Sequence, residues 1–189
     1  MRRVFSAACL AVLVVSLLSV SAGCYARRAR VPRPDLSAIH KIAVIPFSNI
    51  SGRRDAGRIV SNIFITELFK TGLFDVEEPG NVMQFLIQER IDSLGEMELD
   101  RVRILGKRLN VDAVIVGQVE EFEDASKSSS VPVVSLSARM IDSATGRIVW
   151  SHHVKRRGDD FIIIFDFGKI RTVTGLAGTV VREMIETLI

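Results

Sequence analysis

The sequence predicts an α+β domain: a single mixed β-sheet of about five strands with helices packed against it. Two observations predict this class. Short apolar runs typical of buried strands alternate with amphipathic helical segments, and the last strands are joined by a tight turn. The predicted order of elements is β-α-β-α-α-β-β-β-α. An order that interleaves strands with helices and then sets strands in succession favours a mixed sheet.

The first half of the domain contains two predicted strands, residues 41–47 and 73–76. Between them lies a helix that we expect Asp55 to cap and Gly72 to end. After a turn at residues 79–80, a second helix and then a third are predicted, beginning at Asn81 and Asp100. The apolar side chains expected on their buried stripes are Met83, Leu86, Ile87 and Ile91 in the second helix and Val102, Leu105 and Leu109 in the third.

The second half is mainly strand. Residues 111–119 form the clearest strand, and an acidic, serine-rich loop is expected at 120–130. Strands at 131–141 and 147–156 flank a hairpin turn in which Gly146 supplies the positive φ angle. A final helix is predicted from Val173 to Ile189.

The first 23 residues are typical of an export signal. Arg2 and Arg3 precede an apolar run at 4–20, which is shorter than the ~20 residues of a membrane-spanning helix. Small residues at 21–23 then lead into Cys24, a pattern similar to the lipobox at which bacterial prolipoproteins are acylated and cleaved. Ser21 departs from that pattern, which usually has leucine.

Cysteine usage favours acylation of Cys24. The chain has two cysteines, and Cys9 lies inside the leader. The mature chain would therefore hold one cysteine, with no partner for an internal disulfide, and acylation explains an exported protein with a lone thiol. Two or more acyl chains hold a protein firmly on a bilayer.

A tether is expected at residues 24–38, and the folded domain at 39–189. Four arginines and two prolines in the tether favour an extended chain near anionic headgroups, although a solvated linker fits equally well. About 15 residues span at most ~50 Å, so the domain stays near its own leaflet. Tyr25 follows the cysteine, where the enterobacterial sorting pattern places aspartate to retain a lipoprotein in the inner membrane. This favours the outer membrane, on its periplasmic face.

The motif search predicts neither catalysis nor a metal or other cofactor. Known nucleophile, metal-binding and phosphate-binding motifs do not occur. His152 and His153 are adjacent on a strand, so they point to opposite faces and cannot share a metal. The acidic run 120–124 is expected to be a solvated loop, with a cation or partner rim as the alternative. A net charge of +3, partly in the leader, gives no reason to expect nucleic-acid binding.

One apolar segment, residues 161–167, has two interpretations. It fits a core strand, and it also fits an exposed loop that touches a membrane or a neighbouring subunit. Its candidate contact residues are Phe161, Ile163, Phe165 and Phe167. Trp150 has the same two alternatives, hairpin core or interfacial anchor.

Three stretches, 41–47, 105–117 and 141–150, resemble the CsgG-type periplasmic lipoprotein domain, which is shared with PelC, LpoB and the N-terminal domain of TolB. The resemblance covers nearly all of residues 39–189. It implies a non-enzymatic role. CsgG-type proteins form a curli-secreting outer-membrane ring, PelC-type proteins form a lipid-anchored ring in exopolysaccharide export, and LpoB-type proteins activate a peptidoglycan synthase.

Physical limits favour some of these roles. A CsgG-like pore needs two spanning hairpins per subunit with strands of ~9–11 residues, and loops 120–130 and 157–171 are too short. We therefore expect a lipid-anchored, homo-oligomeric scaffold or ring component of an export or envelope-assembly system. The alternative is an LpoB-like activator, which the short tether disfavours.

Overall fold

The computed structural model describes residues 35–91, 99–125, 131–163 and 167–189. Within these ranges it contains six strands and four helices, and the predicted α+β class with a mixed sheet is confirmed. In chain order the elements are β1 (Lys41–Val44), β2 (Ser48–Asn49), α1 (Ala56–Thr71), β3 (Asp75–Val76), α2 (Pro79–Gln88), α3 (Leu99–Leu109), β4 (Ala113–Glu123), β5 (Val133–Asp142), β6 (Ile148–Arg157) and α4 (Val173–Leu188).

The sheet has the order β3-β1-β4-β5-β6, and β2 continues beside β4 beyond the end of β1. Strands β1, β3 and β4 are parallel, whereas β5 and β6 run antiparallel to their neighbours. The parallel strands are joined through helices and the antiparallel strands through a hairpin, as their separations in sequence require. Gly146 in that hairpin has a φ angle of +74°, as predicted.

Helices cover the two faces of the sheet unequally. On one face α1 and α4 bury a continuous apolar core with β1, β4, β5 and β6, including Phe64, Leu136 and Met184. On the other face α2 and α3 pack a smaller core against β1 and the first half of β4, including Phe85 and Leu105. The rest of that face, on β4, β5 and β6, carries polar side chains.

The elements share two common ends, the tether end and the loop end. At the tether end, residues 35–40 enter the domain, α1 and α4 finish, and β1, β3, β4 and β6 begin. At the loop end, residues 50–53 lie beside the end of β4, and residues 158–170 connect β6 to α4. The 16 residues of α4 run from the loop end to the tether end, a length of about 24 Å.

The cap of α1 differs from the prediction. Asp55 is the N-cap residue, but its side chain accepts no capping hydrogen bond. Its backbone is in the right-handed helical region instead of the extended one that a capping side chain requires. The carboxylate accepts a hydrogen bond from Arg53 Nε at 3.0 Å. Gly72, with a φ angle of +65°, ends the helix as predicted.

The start and the buried face of α2 also differ from the prediction. Residues 79–80 are the first turn of the helix instead of a separate turn, because proline suits the first helical position. The cap is Glu78, whose carboxylate accepts from the backbone N–H of Asn81 at 3.1 Å. The buried side chains are Val82, Phe85 and Leu86. Of the expected stripe, Leu86 is buried and Ile91 packs against the same core, whereas Met83 and Ile87 are exposed.

Strand content around β4 is larger than predicted. β4 extends to Glu123, so residues 120–123 belong to a strand and not to a loop. The strand tolerates these charges because α2 and α3 do not cover that part of the sheet. The predicted count of about five strands missed β2, a two-residue strand that follows Phe47 and pairs with Gln118 and Val119.

Candidate functional site

The chain enters the domain at a fixed point. The backbone N–H groups of His40 and Lys41 donate to Asp112 Oδ2 at 2.8 and 2.9 Å, and Asp112 N donates to the carbonyl oxygen of Lys41. The hydrogen bonds from Lys41 and His40 hold the pKa of Asp112 below its usual range. Ile39 is buried beside them. The predicted lipidation residue, Cys24, lies outside the described residues.

An apolar cavity of about 360 Å³ opens at the tether end. Three separate parts of the chain line it: the first described residues, the connection from α1 to β3, and the end of α4. The lining residues are Leu36, Ser37, Ile39, His40, Leu73, Phe74, Leu188 and Ile189. Sequence reasoning missed this cavity, because none of the three segments is conspicuous by itself.

The loop between β6 and α4 is closed by backbone hydrogen bonds. Ile170 N donates to Gly158 O, and Gly158 N donates to Pro132 O, each at 2.9 Å. Farther out, Ile163 N donates to Phe167 O at 2.8 Å. Gly168 has a φ angle of +93°, and a Cβ there would lie 2.2 Å from the carbonyl oxygen of Phe161, so the turn requires glycine.

The side chains of this loop divide into a buried base and an exposed tip. Phe161 packs against the main core, whereas Ile163 is 71% exposed and Phe167 74% exposed. Phe165, the other aromatic candidate of this segment, lies outside the described residues. The described part of segment 161–167 is therefore an exposed loop and not a core strand, and it presents apolar side chains at the loop end.

Trp150 occupies the hairpin-core position and not a surface one. Its side chain is 6% exposed and belongs to the main core. The indole Nε1–H donates to Thr187 Oγ1 at 3.1 Å, which ties β6 to the last turn of α4. Burial of this ring in the folded domain leaves it no access to a bilayer.

A polar cluster that sequence reasoning missed lies on the uncovered face of the sheet. Ser135, on β5, donates its hydroxyl to Glu120 Oε2 on β4 at 2.7 Å, and His153 Nε2 on β6 lies 2.9 Å from the same oxygen. Burial raises the pKa of Glu120, but hydrogen bonds from Ser135, Ser137 and His153 outweigh this effect and lower it. Glu120 and Ser135 are 15 residues apart in sequence, and Ser135 and His153 are 18 apart, so no local sequence pattern connects them.

This cluster has serine, histidine and carboxylate, but not the geometry of a nucleophile relay. In a relay one imidazole nitrogen accepts from the serine and the other donates to the carboxylate. Here the same nitrogen, His153 Nε2, lies 3.2 Å from Ser135 Oγ and 2.9 Å from Glu120 Oε2. Ser135 is also only 2% exposed, so its hydroxyl is not presented to a substrate. The contacts are those of a structural hydrogen-bond network.

Two other carboxylates of the acidic run 120–124 form ion pairs. Lys155 pairs with Glu121 at 2.5 Å across the sheet, and Arg53 pairs with Asp124 at 2.5 Å at the loop end. Within the described residues, no group of three or more histidine, cysteine, aspartate and glutamate side chains is placed to hold a metal ion. No helix in that part of the chain is sufficiently long and apolar to cross a bilayer.

These features define an α+β domain with helices on both faces of a mixed sheet, an apolar cavity where the chain enters and an apolar loop at the opposite end. Among solved structures, this fold is similar to PelC from Paraburkholderia phytofirmans, a dodecamer. The two are 21% identical, the match covers 79% of this chain and 88% of that chain, and the TM-score is 0.57. Lipoprotein GNA1162 from Neisseria meningitidis is 22% identical over 79% of this chain and 97% of that chain, with a TM-score of 0.55. The resemblance predicted from sequence is confirmed at the level of fold.

Two other comparisons give less. No family model matches the chain. A curated relative, a putative adenylate cyclase 3 from Rhizobium meliloti, is 28% identical over 142 residues. That match covers 73% of this chain, which spans only 21% of the relative's length.

Proposed function

We propose that this protein is a non-enzymatic lipoprotein of the bacterial envelope, held by acyl chains on Cys24 at the periplasmic face of the outer membrane. It acts as a scaffold or ring-forming subunit of an export or envelope-assembly apparatus. Its mechanism is positional. The lipids keep the domain at the leaflet, and contacts between subunits build a passage or platform.

The observation that carries this proposal is the combination of the leader with the fold. Small residues 21–23 lead into Cys24 after an apolar leader. The domain that follows has the fold of GNA1162, a lipoprotein, and of PelC, which forms a dodecamer.

Membrane fractionation tests the anchor. Cys24→Ala removes the acylated thiol, so the protein should shift from the membrane fraction to the soluble fraction of the periplasm or remain as an uncleaved precursor. Cys9→Ala is the matched control, because it removes the other cysteine of the leader and should leave anchoring unchanged. Intact mass of the wild-type protein should show an acylated N-terminal cysteine. An unmodified thiol in membrane-bound wild type would refute the anchor.

Light scattering coupled to size-exclusion chromatography tests the assembly. The lipidated protein in detergent should elute as a closed oligomer of several subunits after subtraction of the detergent mass. A stable monomer across the concentration range would contradict the ring and favour the alternative, a periplasmic activator of a peptidoglycan synthase.

A further inference from the structure

We infer that copies of this chain join end to end, so that the apolar tip at the loop end of one copy enters the apolar cavity at the tether end of the next. The tip consists of Ile162, Ile163 and Phe167, which are 40%, 71% and 74% exposed. The inference rests on the proposed assembly and deepens it, because it names the two surfaces that meet.

The cavity is open to a side chain from outside. Ile39 and Leu188 in its lining are buried, whereas Leu73 and Ile189 are 56% and 39% exposed and form its rim. Its volume of about 360 Å³ lies within the range of protein pockets that bind small ligands, roughly 300–1,000 Å³. A large apolar side chain that enters such a pocket is stabilised by removal of its apolar area from water.

The tip is held in shape before it meets a partner. Ile163 N donates to Phe167 O at 2.8 Å, and Phe161 at the base of the loop packs against the main core. A Cβ on Gly168 would lie 3.6 Å from Ile163 Cγ1, so the two sides of the tip pass close to each other. An apolar group that is already ordered loses less conformational entropy on association.

One copy cannot fill its own cavity with its own tip. Helix α4 begins just after the loop, and Leu188 at its end lines the cavity, so the two surfaces are separated by the helix length of about 24 Å. The contact therefore joins different molecules through two different surfaces. A head-to-tail contact of this kind repeats at every copy and closes into a ring where the rotation between neighbours allows it.

Exposed charges beside the two surfaces are complementary. Asp35, Asp75 and Glu186 are exposed, and each lies within two residues of a residue that lines the cavity. At the loop end Arg54 and Arg171 are exposed, and neither forms an ion pair within the described ranges. Opposite charges favour contact between unlike ends and disfavour contact between like ends. This complementarity assigns a second copy of the chain as the occupant of the cavity.

The lysines on the cavity side do not cancel the acidic character. Lys41 pairs with Glu77 at 2.5 Å, and Lys70 pairs with Glu67 at 2.8 Å. Because both lysines already have a carboxylate partner in the domain, they offset the three exposed carboxylates little. The acidic side chains beside the cavity thus remain available to the arginines of a neighbouring loop end.

Cross-linking in the lipidated full-length protein tests this contact. With Cys9 removed with the leader and Cys24 acylated, introduced cysteines are the free thiols, and the unsubstituted protein gives the background. Leu73→Cys marks the rim of the cavity and Ile163→Cys marks the tip. Met83→Cys combined with Ile163→Cys is the control pair, because Met83 is also exposed but lies on α2. A flexible bis-maleimide is added in detergent, products are identified by mass, and circular dichroism confirms that each variant is folded.

The expected products follow from the use of unlike ends. A 1:1 mixture of the Leu73→Cys and Ile163→Cys proteins, one of them tagged, should give a linked dimer with one copy of each. The chain that carries both substitutions should give a ladder of trimers and longer products, because each copy then reacts at both ends. Addition of Phe167→Asp to that chain should lower the yield several-fold, whereas addition of Met83→Asp should leave it unchanged.

Three results would overturn the inference: equal yields of like-end dimers from a single variant, a yield no higher than that of the control pair, or a yield that Phe167→Asp does not change. Light scattering of the same samples separates this contact from the proposed function. A closed oligomer without the link between positions 73 and 163 keeps the assembly and removes this contact. Monomers at every concentration remove both.

Discussion

Alanine substitution of two aromatic residues, Trp150 and Phe167, separates core from surface among the candidate contact residues. Trp150 is 6% exposed and Phe167 is 74% exposed. Truncation of a buried tryptophan to alanine costs about 3–5 kcal/mol, since it removes apolar contacts and leaves a cavity. The hydrogen bond from the indole to Thr187 Oγ1 is lost as well, which adds about 1 kcal/mol. We therefore expect Trp150→Ala to lower the free energy of unfolding by about 4–6 kcal/mol.

For a domain of this size, 1 kcal/mol shifts Tm by about 2–4 °C, so Trp150→Ala should lower Tm by roughly 8–24 °C. Trp150→Phe keeps most of the apolar area and loses the indole donor, so it should cost about 1–2 kcal/mol. Phe167→Ala should change the free energy of unfolding by no more than about 0.5 kcal/mol, because the ring is mostly in solvent. Thermal unfolding followed by circular dichroism measures all three. Equal decreases in the free energy of unfolding for Trp150→Ala and Phe167→Ala would refute the assignment of Trp150 to the core and Phe167 to the surface.

Two further predictions concern stability. Gly106→Ala places a Cβ 2.4 Å from the Cβ of Ser143, so it should lower the free energy of unfolding by about 1–3 kcal/mol. In a double-mutant cycle measured by urea unfolding, Ser143→Gly should relieve this clash and Ser143→Ala should not. Additive effects of Gly106→Ala and Ser143→Gly would contradict the contact. Glu77 accepts from Lys41 Nζ at 2.5 Å and from Asn81 Nδ2 at 2.6 Å, which lowers its pKa below the ordinary 4.5. Its contribution to stability is thus present above the unfolded-state pKa and is lost as pH falls through the folded-state pKa. Glu77→Gln should cost about 1.5–3 kcal/mol at pH 7, and the difference from wild type should shrink in acid; a difference independent of pH would contradict the assignment.

Strand β5 shows how far periodicity alone can go. Val134, Leu136, Ala138 and Met140 alternate within the predicted strand 131–141, and all four are buried in the main core. The prediction succeeded because one face of this strand is fully covered by helices and the other carries polar side chains. An alternation of that kind has a single register that buries the apolar set.

Helix α2 shows where periodicity fails. Its sequence offers two apolar stripes that differ by one residue, and both have members at three- and four-residue steps. The buried stripe contains Phe85, whereas the predicted stripe contained Met83 and Ile87, which the structure exposes. Packing against β1 and α3 decides between the two stripes, and that information is not local. The start of the helix was missed for a simpler reason, because Pro79 suits a turn and the first helical position equally well.

The apolar loop and the tether end differ in how they are encoded, and this difference explains why sequence reasoning found the first and missed the second. Residues 161–167 are apolar at six of seven positions, so a hydropathy profile marks them. The cavity at the tether end is assembled from residues near Leu36, Leu73 and Leu188, which meet because β1 begins where α1 and α4 finish. Each of these residues is ordinary in its own segment, as the last or first apolar position of an element. A surface formed from element ends becomes visible only when the topology is known. The cavity at the tether end is thus hidden in the sequence even where the fold class is not.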